Sequence, residues 1–310
     1  MEKRIDIHKK VRDFIVDLER SKTLKNKGKI LIDGFKTKKI FDNNKPKLNV
    51  DGTISYAKRT RSLYENIWGT ASSRMYNELG IATPMVCSVK EIFNKSTWLA
   101  SQDVEKLTDK EIYVTQASNT PFYTFHSKDW WNPWYSPDKW DVLNNDKARE
   151  ELLELMTEEC LDQLTTILML DEIRMDPDRH WDNMFLYKTQ GAEKFEGIIP
   201  IDLEYTDILF YERRDFERSA EWAYPAYGHR ETQERHLNYH DRMLRLQELI
   251  QDGKFNNQQL ETLKRAINYN MPESVRAIAQ KHKFTEQADR AYNNTARLWE
   301  YNQNHLSKEL

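Results

Sequence analysis

Cysteine is scarce in this chain of 310 residues, and long apolar runs are absent from it. Cys87 and Cys160 lie far apart and follow no metal-binding spacing, which favours two reduced thiols over a disulfide or a zinc site. No run of 18 apolar residues occurs, so we expect no transmembrane segment. Because the N-terminus lacks an apolar signal core, we expect a cytoplasmic protein, and delivery by a specialised secretion system stays open.

Net charge is also small, at −3, and gives no general attraction to nucleic acid, so we expect no nucleic-acid partner. Hydrophobic residues make up 39% and charged residues 31% of the chain, as in an ordinary globular protein. Nine lysines nevertheless lie between Lys22 and Lys47, against two aspartates. This stretch is either a solvated face or a binding surface for an anionic phosphate ligand, such as a nucleotide, an inositol phosphate or a lipid headgroup.

The first hundred residues are predicted to be mostly sheet. Apolar residues at helical spacing predict a short helix within an N-terminal segment of residues 1–28. Short β-prone runs separated by turn residues then predict an antiparallel meander between residues 29 and 59. Further predicted elements are one helix, for which Gly80 is the stop signal, and two strands: residues 62–79, 85–89 and 97–100.

The remainder of the chain is predicted to be mostly helical. Apolar residues recur at helical spacing from Asp146 to about Leu170, which predicts one long amphipathic helix. A short hairpin follows at residues 185–201. Four helices are predicted beyond it: residues 232–251, 256–269, 273–282 and 284–305. The chain is therefore predicted to have an α+β fold, with a sheet-rich unit at residues 29–105 and a helical unit at residues 106–310.

Residues 111–144 form an aromatic-rich insertion in this helical unit. Four of the nine tryptophans and three prolines lie here, and the prolines prevent a long helix. The segment is either a loop-rich insertion packed onto the body by its rings or a platform for a substrate or partner. We favour packing, because so many aromatic side chains rarely all face water.

Three oxygen-bearing side chains form the most informative pattern in the chain. Asp178 precedes Asn183 by five residues, and Asp202 follows a β-prone run nineteen residues after Asn183. A phosphoryl-transfer site of the kinase type needs a carboxylate that orients and deprotonates the acceptor hydroxyl. It also needs an amide oxygen and a second carboxylate that hold Mg²⁺ against the nucleotide phosphates. Magnesium prefers hard oxygen ligands and usually takes one or two of them from protein.

The other half of such a site lies upstream. Lys58 lies near the end of the third predicted strand, and Glu65 lies early in the helix that follows. A strand lysine that clamps the nucleotide phosphates, held in place by a helix glutamate, completes a kinase site. Lysine strand, glutamate helix, long helix, Asp–Asn loop and final aspartate all occur in the order that a kinase requires.

The other polar residues of the loop have less specific interpretations. His180 is grouped with the catalytic residues, as a side chain that braces the loop by hydrogen bonding rather than as a metal ligand. Arg179 is either a loop-orienting cation or a surface charge. The nearby acidic residues are interpreted as the end of the preceding helix or as loop solvation: Asp171, Glu172, Asp176 and Asp182.

The run Asp178-Arg-His-x-x-Asn183, with Asp202, resembles the atypical kinases of the HipA type and their relatives, the phosphatidylinositol 3-/4-kinases. Those proteins share a D-R-H-x-x-N loop. The stretch from Tyr64-Glu65-Asn66 to Gly80-Ile-Ala-Thr-Pro84 is similar to the HipA-type segment, in which a Glu-bearing helix ends in a Gly-Ile-x-x-Pro turn. The resemblance implies a two-lobed protein-kinase-like fold, with an antiparallel N-lobe sheet, one N-lobe helix and a mostly helical C-lobe.

The resemblance also implies a role for each matching residue. Asp178 would be the catalytic base, and Asn183 and Asp202 would be the metal ligands. Lys58 would bind the nucleotide, with Glu65 as its partner. The implied cofactors are ATP and Mg²⁺ or Mn²⁺.

The leading hypothesis is an ATP- and magnesium-dependent kinase that transfers the γ-phosphoryl group to a hydroxyl, first of all a protein Ser/Thr. A phosphoinositide or inositol phosphate acceptor is the alternative, supported only by the N-terminal lysines. A second hypothesis is a catalytically weak pseudokinase that binds a nucleotide or a partner. Two departures motivate it: Asp202 is followed by Leu203-Glu204 rather than Phe-Gly, and no G-x-G-x-x-G loop precedes Lys58.

Overall fold

The structure is a computed structural model that describes residues 41–42, 45–50, 53–59, 63–84, 86–90, 97–102, 104, 112–120, 143, 146–176, 179, 181–204, 239–281 and 285–310. The strands before residue 60 are described by their backbone. The helix predicted within residues 1–28 lies outside the described residues. So do most of the lysine-rich stretch and most of the aromatic-rich segment 111–144.

Five strands form the first sheet: β1 (Phe41–Asp42), β2 (Lys45–Val50), β3 (Thr53–Arg59), β4 (Val86–Lys90) and β5 (Thr97–Gln102). Their order is β1-β2-β3-β5-β4, and each pair of neighbours is antiparallel. The meander is therefore confirmed for the described strands. β2 was not predicted as a strand, although lysine and asparagine alternate there with Pro46, Leu48 and Val50 at the period of a strand.

One helix, α1 (Leu63–Glu78), lies between β3 and β4 in the chain and packs on this sheet. Both the helix and its end were predicted from the sequence. Gly80 has φ of 92°, a conformation that glycine adopts at low cost. The Ile81 N–H donates to the Tyr76 carbonyl at 2.9 Å, which closes the helix end in a Schellman-type turn.

A second sheet has the order β6-β7-β8 and consists of β6 (Ile112–Gln116), β7 (Met184–Thr189) and β8 (Gly197–Pro200). The hairpin β7–β8 is confirmed, and Gly191 at its turn has φ of 89°. β6 belongs to the segment predicted as a loop-rich insertion, and it pairs antiparallel with β7. The first residues of this segment therefore form a third strand in the sheet that contains the hairpin.

The prediction of one long helix from Asp146 is wrong, because two helices occupy this stretch: α2 (Asp146–Leu155) and α3 (Glu158–Ile173). Thr157 starts the second helix as its N-cap, with the side-chain oxygen accepting from the Cys160 N–H at 3.2 Å. Phe195 fixes the break from outside. Its N–H donates to the Leu155 carbonyl and its carbonyl accepts from the Thr157 N–H, both at 2.9 Å.

Four helices complete the described chain, as predicted: α4 (Tyr239–Gln251), α5 (Asn257–Ile267), α6 (Met271–Lys281) and α7 (Thr285–Leu306). The N-cap of α5 is Asn256 rather than Asn257, and Asn256 forms a reciprocal capping box with Gln259. Pro272 lies in the first turn of α6, where its missing N–H costs nothing.

Buried apolar side chains form one cluster that runs from α1 through α3 and the hairpin to α7. Trp68 of α1 and Trp299 of α7 meet edge to face, with 6.2 Å between ring centroids. The predicted α+β architecture, a sheet with one helix followed by a mostly helical part, is confirmed. No helix within the described residues is both long and apolar enough to cross a bilayer.

Candidate active site

The hairpin β7–β8 brings Asn183 and Asp202 to the same end of the second sheet. Asn183 directly precedes β7, and β8 ends two residues before Asp202. Met184 pairs with Pro200, and the ladder continues by one step, since the Ile201 N–H donates to the Asn183 carbonyl at 3.0 Å. The residue before Asp202 is thus bonded to the backbone of Asn183, so Asp202 lies one residue beyond the position opposite Asn183.

Asp202 has an unusual backbone conformation, with φ of 54°. Few residues other than glycine adopt this left-handed region, although aspartate is among those that do so most readily. Such a conformation persists where the surrounding contacts fix the chain. Here the carbonyls on both sides of Asp202, those of Ile201 and Leu203, each accept a hydrogen bond from an arginine.

Arg179 is one of these two arginines. Its side chain is buried, and its Nη1 donates to the carbonyls of Asn183 at 2.7 Å and Ile201 at 2.9 Å. Its Nε donates to Asp171 Oδ2 at 2.7 Å. Of the two interpretations of Arg179, the loop-orienting cation is therefore correct, and the surface charge is wrong.

Arg174 is the second arginine, and its side chain is fully buried. Its Nη2 donates to the Leu203 carbonyl at 2.6 Å, and its Nε donates to Ser72 Oγ of α1 at 3.2 Å. Its Nη1 donates to Asp171 Oδ1 at 3.1 Å and to Asp176 Oδ2 at 3.2 Å. This guanidinium therefore joins α1, the end of α3 and the segment that follows Asp202.

Asp171 is the anion that both guanidinium groups share, and Tyr76 of α1 donates to its Oδ1 at 2.6 Å. With Asp176, these groups form a buried cluster of two cations and two carboxylates, hereafter the arginine cluster: Tyr76, Asp171, Arg174, Asp176 and Arg179. Burial lowers the pKa of Arg179, but the charges of Asp171 and Asp176 outweigh this and raise its pKa above the ordinary value. Removal of one member from such a network typically costs about 3–5 kcal/mol of stability.

One face of α1 lies against the segment after Asp202. Gly69 packs so closely on Glu204 that a Cβ at Gly69 would lie 2.9 Å from the Glu204 Cβ. Ser72 and Tyr76, three and seven residues farther along the helix, contact the arginine cluster. Glu65 precedes Gly69 by four residues, so it shares this face, and it is buried.

The remaining predicted site residues are described in part or not at all. The backbone of Lys58 pairs with that of Leu99 in β5, and the Leu99 side chain lies against α1 at Gly69. The Lys58 side chain lies outside the described part of the structure, as do Asp178 and His180. The structure therefore places Asn183 opposite the residue before Asp202, and it packs the helix face that carries Glu65 on the segment after Asp202. The roles predicted for all six residues stay predictions.

The arginine cluster was not predicted from the sequence. Asp176, interpreted as a solvating loop residue, is only 3% exposed and pairs with Arg174. Asp171 and Glu172 end α3, as predicted, and both are buried and ion-paired. Asp182 is exposed, as predicted. The sequence signal for this cluster is an alternation of negative and positive residues around the C-terminal end of α3. Four residues within a span of nine carry it: Asp171, Arg174, Asp176 and Arg179.

The donor atoms of the candidate site suit a hard cation. An amide oxygen and a carboxylate are ligands that Mg²⁺ accepts, and nucleotide phosphates and water usually complete its shell. Among the described residues, no group of three or more His, Cys, Asp or Glu side chains forms a protein-only metal site. The amide of Asn183 and the carboxylate of Asp202 are chemically suited to ligate such an ion.

Comparisons with known proteins identify the fold. No protein-family model and no curated protein matches the chain significantly. The crystal structure of a Helicobacter pylori proinflammatory kinase, CtkA, is similar at a TM-score of 0.51 and 14% identity, covering 85% of this chain and 91% of that one. HipA, in a complex with HipB and operator DNA from the Shewanella oneidensis MR-1 toxin–antitoxin system, is similar at a TM-score of 0.53 and 12% identity. That match covers 90% of this chain and 71% of HipA's structure.

The chain therefore has the kinase-like fold of HipA and CtkA, and the predicted fold class is confirmed. Sequence identities of 12% and 14% establish the fold and do not by themselves transfer an activity. The chemistry of this protein follows from its own residues.

Proposed function

We propose that this protein is a kinase that uses ATP and a divalent cation to phosphorylate a hydroxyl group. The observation that carries the proposal is the pairing of Asn183 with the residue before Asp202, in a chain with a HipA-type kinase fold. Asp202 directly follows the residue that pairs with Asn183, and this supports a site that uses one amide and one carboxylate. A kinase needs that donor pair for the metal ion that bridges the nucleotide phosphates.

The residues of the chain divide the work of phosphoryl transfer as follows. Asn183 and Asp202 would hold the cation, which neutralises the charge that develops on the phosphates when it is bound. Asp178 accepts the proton of the acceptor hydroxyl and orients that hydroxyl in line with the γ-phosphate. Lys58 contacts the nucleotide phosphates, and Glu65 holds the lysine in place. Catalysis of this kind depends on positioning and charge far more than on covalent chemistry.

A protein Ser/Thr hydroxyl is the acceptor that we propose first. CtkA, which the chain resembles in fold, is a proinflammatory kinase, and HipA belongs to a toxin–antitoxin system. A phosphoinositide or inositol phosphate is the second candidate, and its support is the density of lysines between Lys22 and Lys47.

Transfer of radiolabelled phosphate from the γ-position of ATP tests the proposal. Wild-type protein should label itself or a protein in a cell lysate when Mg²⁺ or Mn²⁺ is present, and EDTA should abolish the label. Asp178→Ala should lower the rate by at least about a hundredfold, because general-base catalysis contributes about 10²–10⁴-fold, and should leave nucleotide binding largely intact. Lysate proteins and phosphoinositide vesicles, offered in separate reactions, distinguish the two acceptor classes.

Asp182→Ala is the matched control, since Asp182 lies in the same loop and is exposed. Its rate should stay within about twofold of wild type, because Asp182 is exposed and has no assigned role in metal binding or proton transfer. An Asp178→Ala variant with full turnover would contradict the assignment of the base. Nucleotide binding by the wild type without any transfer or hydrolysis would favour the pseudokinase instead.

A further inference from the structure

Three backbone carbonyls at and beside the candidate metal ligands accept hydrogen bonds from the arginine cluster. Arg179 donates to the carbonyls of Asn183 and Ile201, and Arg174 donates to that of Leu203. We propose that Arg174 and Arg179 are positioning residues, which fix Asn183 and Asp202 at the spacing that a divalent cation requires. This proposal rests on the proposed kinase function, because it concerns the same metal ligands.

These contacts depend on the planar guanidinium group, which presents several N–H donors in fixed directions. Arg179 bonds two carbonyls through one nitrogen and the Asp171 carboxylate through its Nε and Nη2, at 2.7 and 3.3 Å. Arg174 uses all three nitrogens and reaches three elements of the chain. A lysine ammonium is a single point charge and cannot span such sets of acceptors. The requirement at both positions is therefore for arginine, rather than for any cation.

The arginine cluster also accounts for the backbone of Asp202. A residue at φ of 54° returns readily to a commoner conformation unless its neighbours are held. Arg179 holds the carbonyl before Asp202, and Arg174 holds the one after it. If either contact is lost, the segment can rotate about Asp202 and carry its carboxylate away from Asn183.

Asp171 couples this arrangement to α1. Its carboxylate binds both arginines and also accepts a hydrogen bond from the Tyr76 hydroxyl of α1. Ser72, on the same helix, accepts a hydrogen bond from Arg174. The spacing of the metal ligands and the placement of the helix that carries Glu65 thus depend on one buried network. A cluster with only a structural role would change stability when mutated and leave the affinity for metal unaffected.

Binding of Mn²⁺, measured by electron paramagnetic resonance with a non-hydrolysable ATP analogue, separates these roles. Residues that orient metal ligands typically contribute about 10–100-fold to metal affinity. We therefore expect Arg174→Lys and Arg179→Lys each to raise the Kd for Mn²⁺ by about tenfold or more. Binding of the analogue in EDTA should change by less than about twofold in both variants, because neither arginine is assigned to the nucleotide.

Arg242→Lys is the matched control. Arg242 pairs through its Nε with Glu172, the carboxylate next to Asp171 on α3, at 2.6 Å. Its Kd for Mn²⁺ should stay within about twofold of wild type, although it loses an arginine–carboxylate pair of the same kind. Circular dichroism establishes that each variant is folded before its affinity is compared.

Two outcomes overturn the proposal. The first is wild-type affinity for Mn²⁺ in folded Arg174→Lys and Arg179→Lys variants. If neither variant folds, Tyr76→Phe decides, because it keeps both arginines and removes only the Tyr76 hydroxyl, which donates to Asp171 and accepts from Arg174 Nη1 at 3.3 Å. We expect it to raise the Kd by about threefold, below the full effect of losing an orienting residue, and an unchanged Kd is the second overturning outcome. A wild-type protein that binds no Mn²⁺ with the analogue instead contradicts the proposed function itself.

Discussion

Tyr76 is a single residue that links an ionisable proton to the stability of the fold. Its hydroxyl is buried and donates to the Asp171 carboxylate at 2.6 Å. Burial raises the pKa of Tyr76 well above its ordinary value near 10, and the negative charge of Asp171 raises it further. Arg174 and Arg179 oppose this shift without cancelling it.

This shift has a defined consequence for stability at high pH. Below about pH 9 the folded and unfolded chains both keep the Tyr76 proton, so this group contributes no pH dependence. Above about pH 10 the unfolded chain loses the proton and the folded chain keeps it. Since the folded state then binds more protons, the contribution of Tyr76 to the unfolding free energy falls by up to about 1.4 kcal/mol per pH unit.

We predict that Tyr76→Phe lowers the unfolding free energy by about 1–3 kcal/mol at pH 8, because a hydrogen bond to a buried charge is lost. The difference from wild type should shrink by about 1 kcal/mol at pH 11. Urea unfolding at the two pH values measures it. Tyr113→Phe, which removes a hydroxyl from a side chain that is 47% exposed, should stay within about 0.5 kcal/mol of wild type. A Tyr76→Phe difference that is the same at both pH values would contradict this account.

The close approach of α1 to the segment after Asp202 depends on Gly69. A Cβ at this position would lie 2.9 Å from Glu204 Cβ, 3.2 Å from Glu204 Cα and 3.3 Å from Leu99 Cδ1. Glu204 Cα is a backbone atom and Glu204 Cβ is bonded to it, so side-chain rotation cannot move either atom away. A larger residue must therefore move either α1 or the Asp202 segment.

Gly69→Ala tests this contact. In an unconstrained helix the change stabilises by up to about 1 kcal/mol, but overpacking typically costs about 1–3 kcal/mol. We predict a net loss of about 1 kcal/mol in urea unfolding. We also predict a loss of metal-dependent ATP turnover of about tenfold or more, because the displaced segment carries a metal ligand.

Gly253→Ala is the matched control for this prediction. Gly253 has φ of 66°, and a Cβ there would meet no atom within 4 Å, so alanine introduces backbone strain away from the site. It should lose about 1 kcal/mol of stability and retain its turnover. Equal turnover in the two alanine variants would show that α1 does not position the Asp202 segment.

The elements that were predicted correctly from the sequence are those with local signals. The period of α1 and its Gly80 stop are both visible in the chain, and so is the hairpin around Gly191. The break between α2 and α3 is not, because Phe195 fixes it from forty residues away through two backbone hydrogen bonds. The link between the arginine cluster and α1 was missed for the same reason, since Tyr76 and Asp171 are 95 residues apart and only the fold brings them together.

The described core is continuous from α1 to the last helix. Ile67 and Trp68 of α1 belong to the same buried cluster as Leu298 and Trp299 of α7. Polar contacts follow the same path, since the Asn302 side chain donates to the Ile173 carbonyl at the end of α3, at 2.8 Å. The sheet-rich part and the helical part therefore share one hydrophobic core, and neither has a separate core of its own among the described residues.

We therefore predict one cooperative unfolding transition, with the same urea midpoint by tryptophan fluorescence and by far-ultraviolet circular dichroism. Leu298→Ala, at a fully buried position, should lower both midpoints together and cost about 2–5 kcal/mol. Asn304→Ala, an exposed change on the same helix, is the control and should leave both midpoints in place. Two separated transitions, or a Leu298→Ala effect on one probe alone, would rule out the continuous core.

The proposed function depends above all on whether Asn183 and Asp202 jointly hold the divalent cation of a kinase. A crystal structure with Mn²⁺ and a non-hydrolysable ATP analogue decides this, because anomalous scattering locates the metal independently of any activity. We predict one Mn²⁺ in contact with the Asn183 side-chain oxygen, the Asp202 carboxylate and the nucleotide phosphates, at distances of about 2.1 Å as for Mg²⁺. A nucleotide-bound Mn²⁺ that touches neither residue would refute the assignment of both ligands.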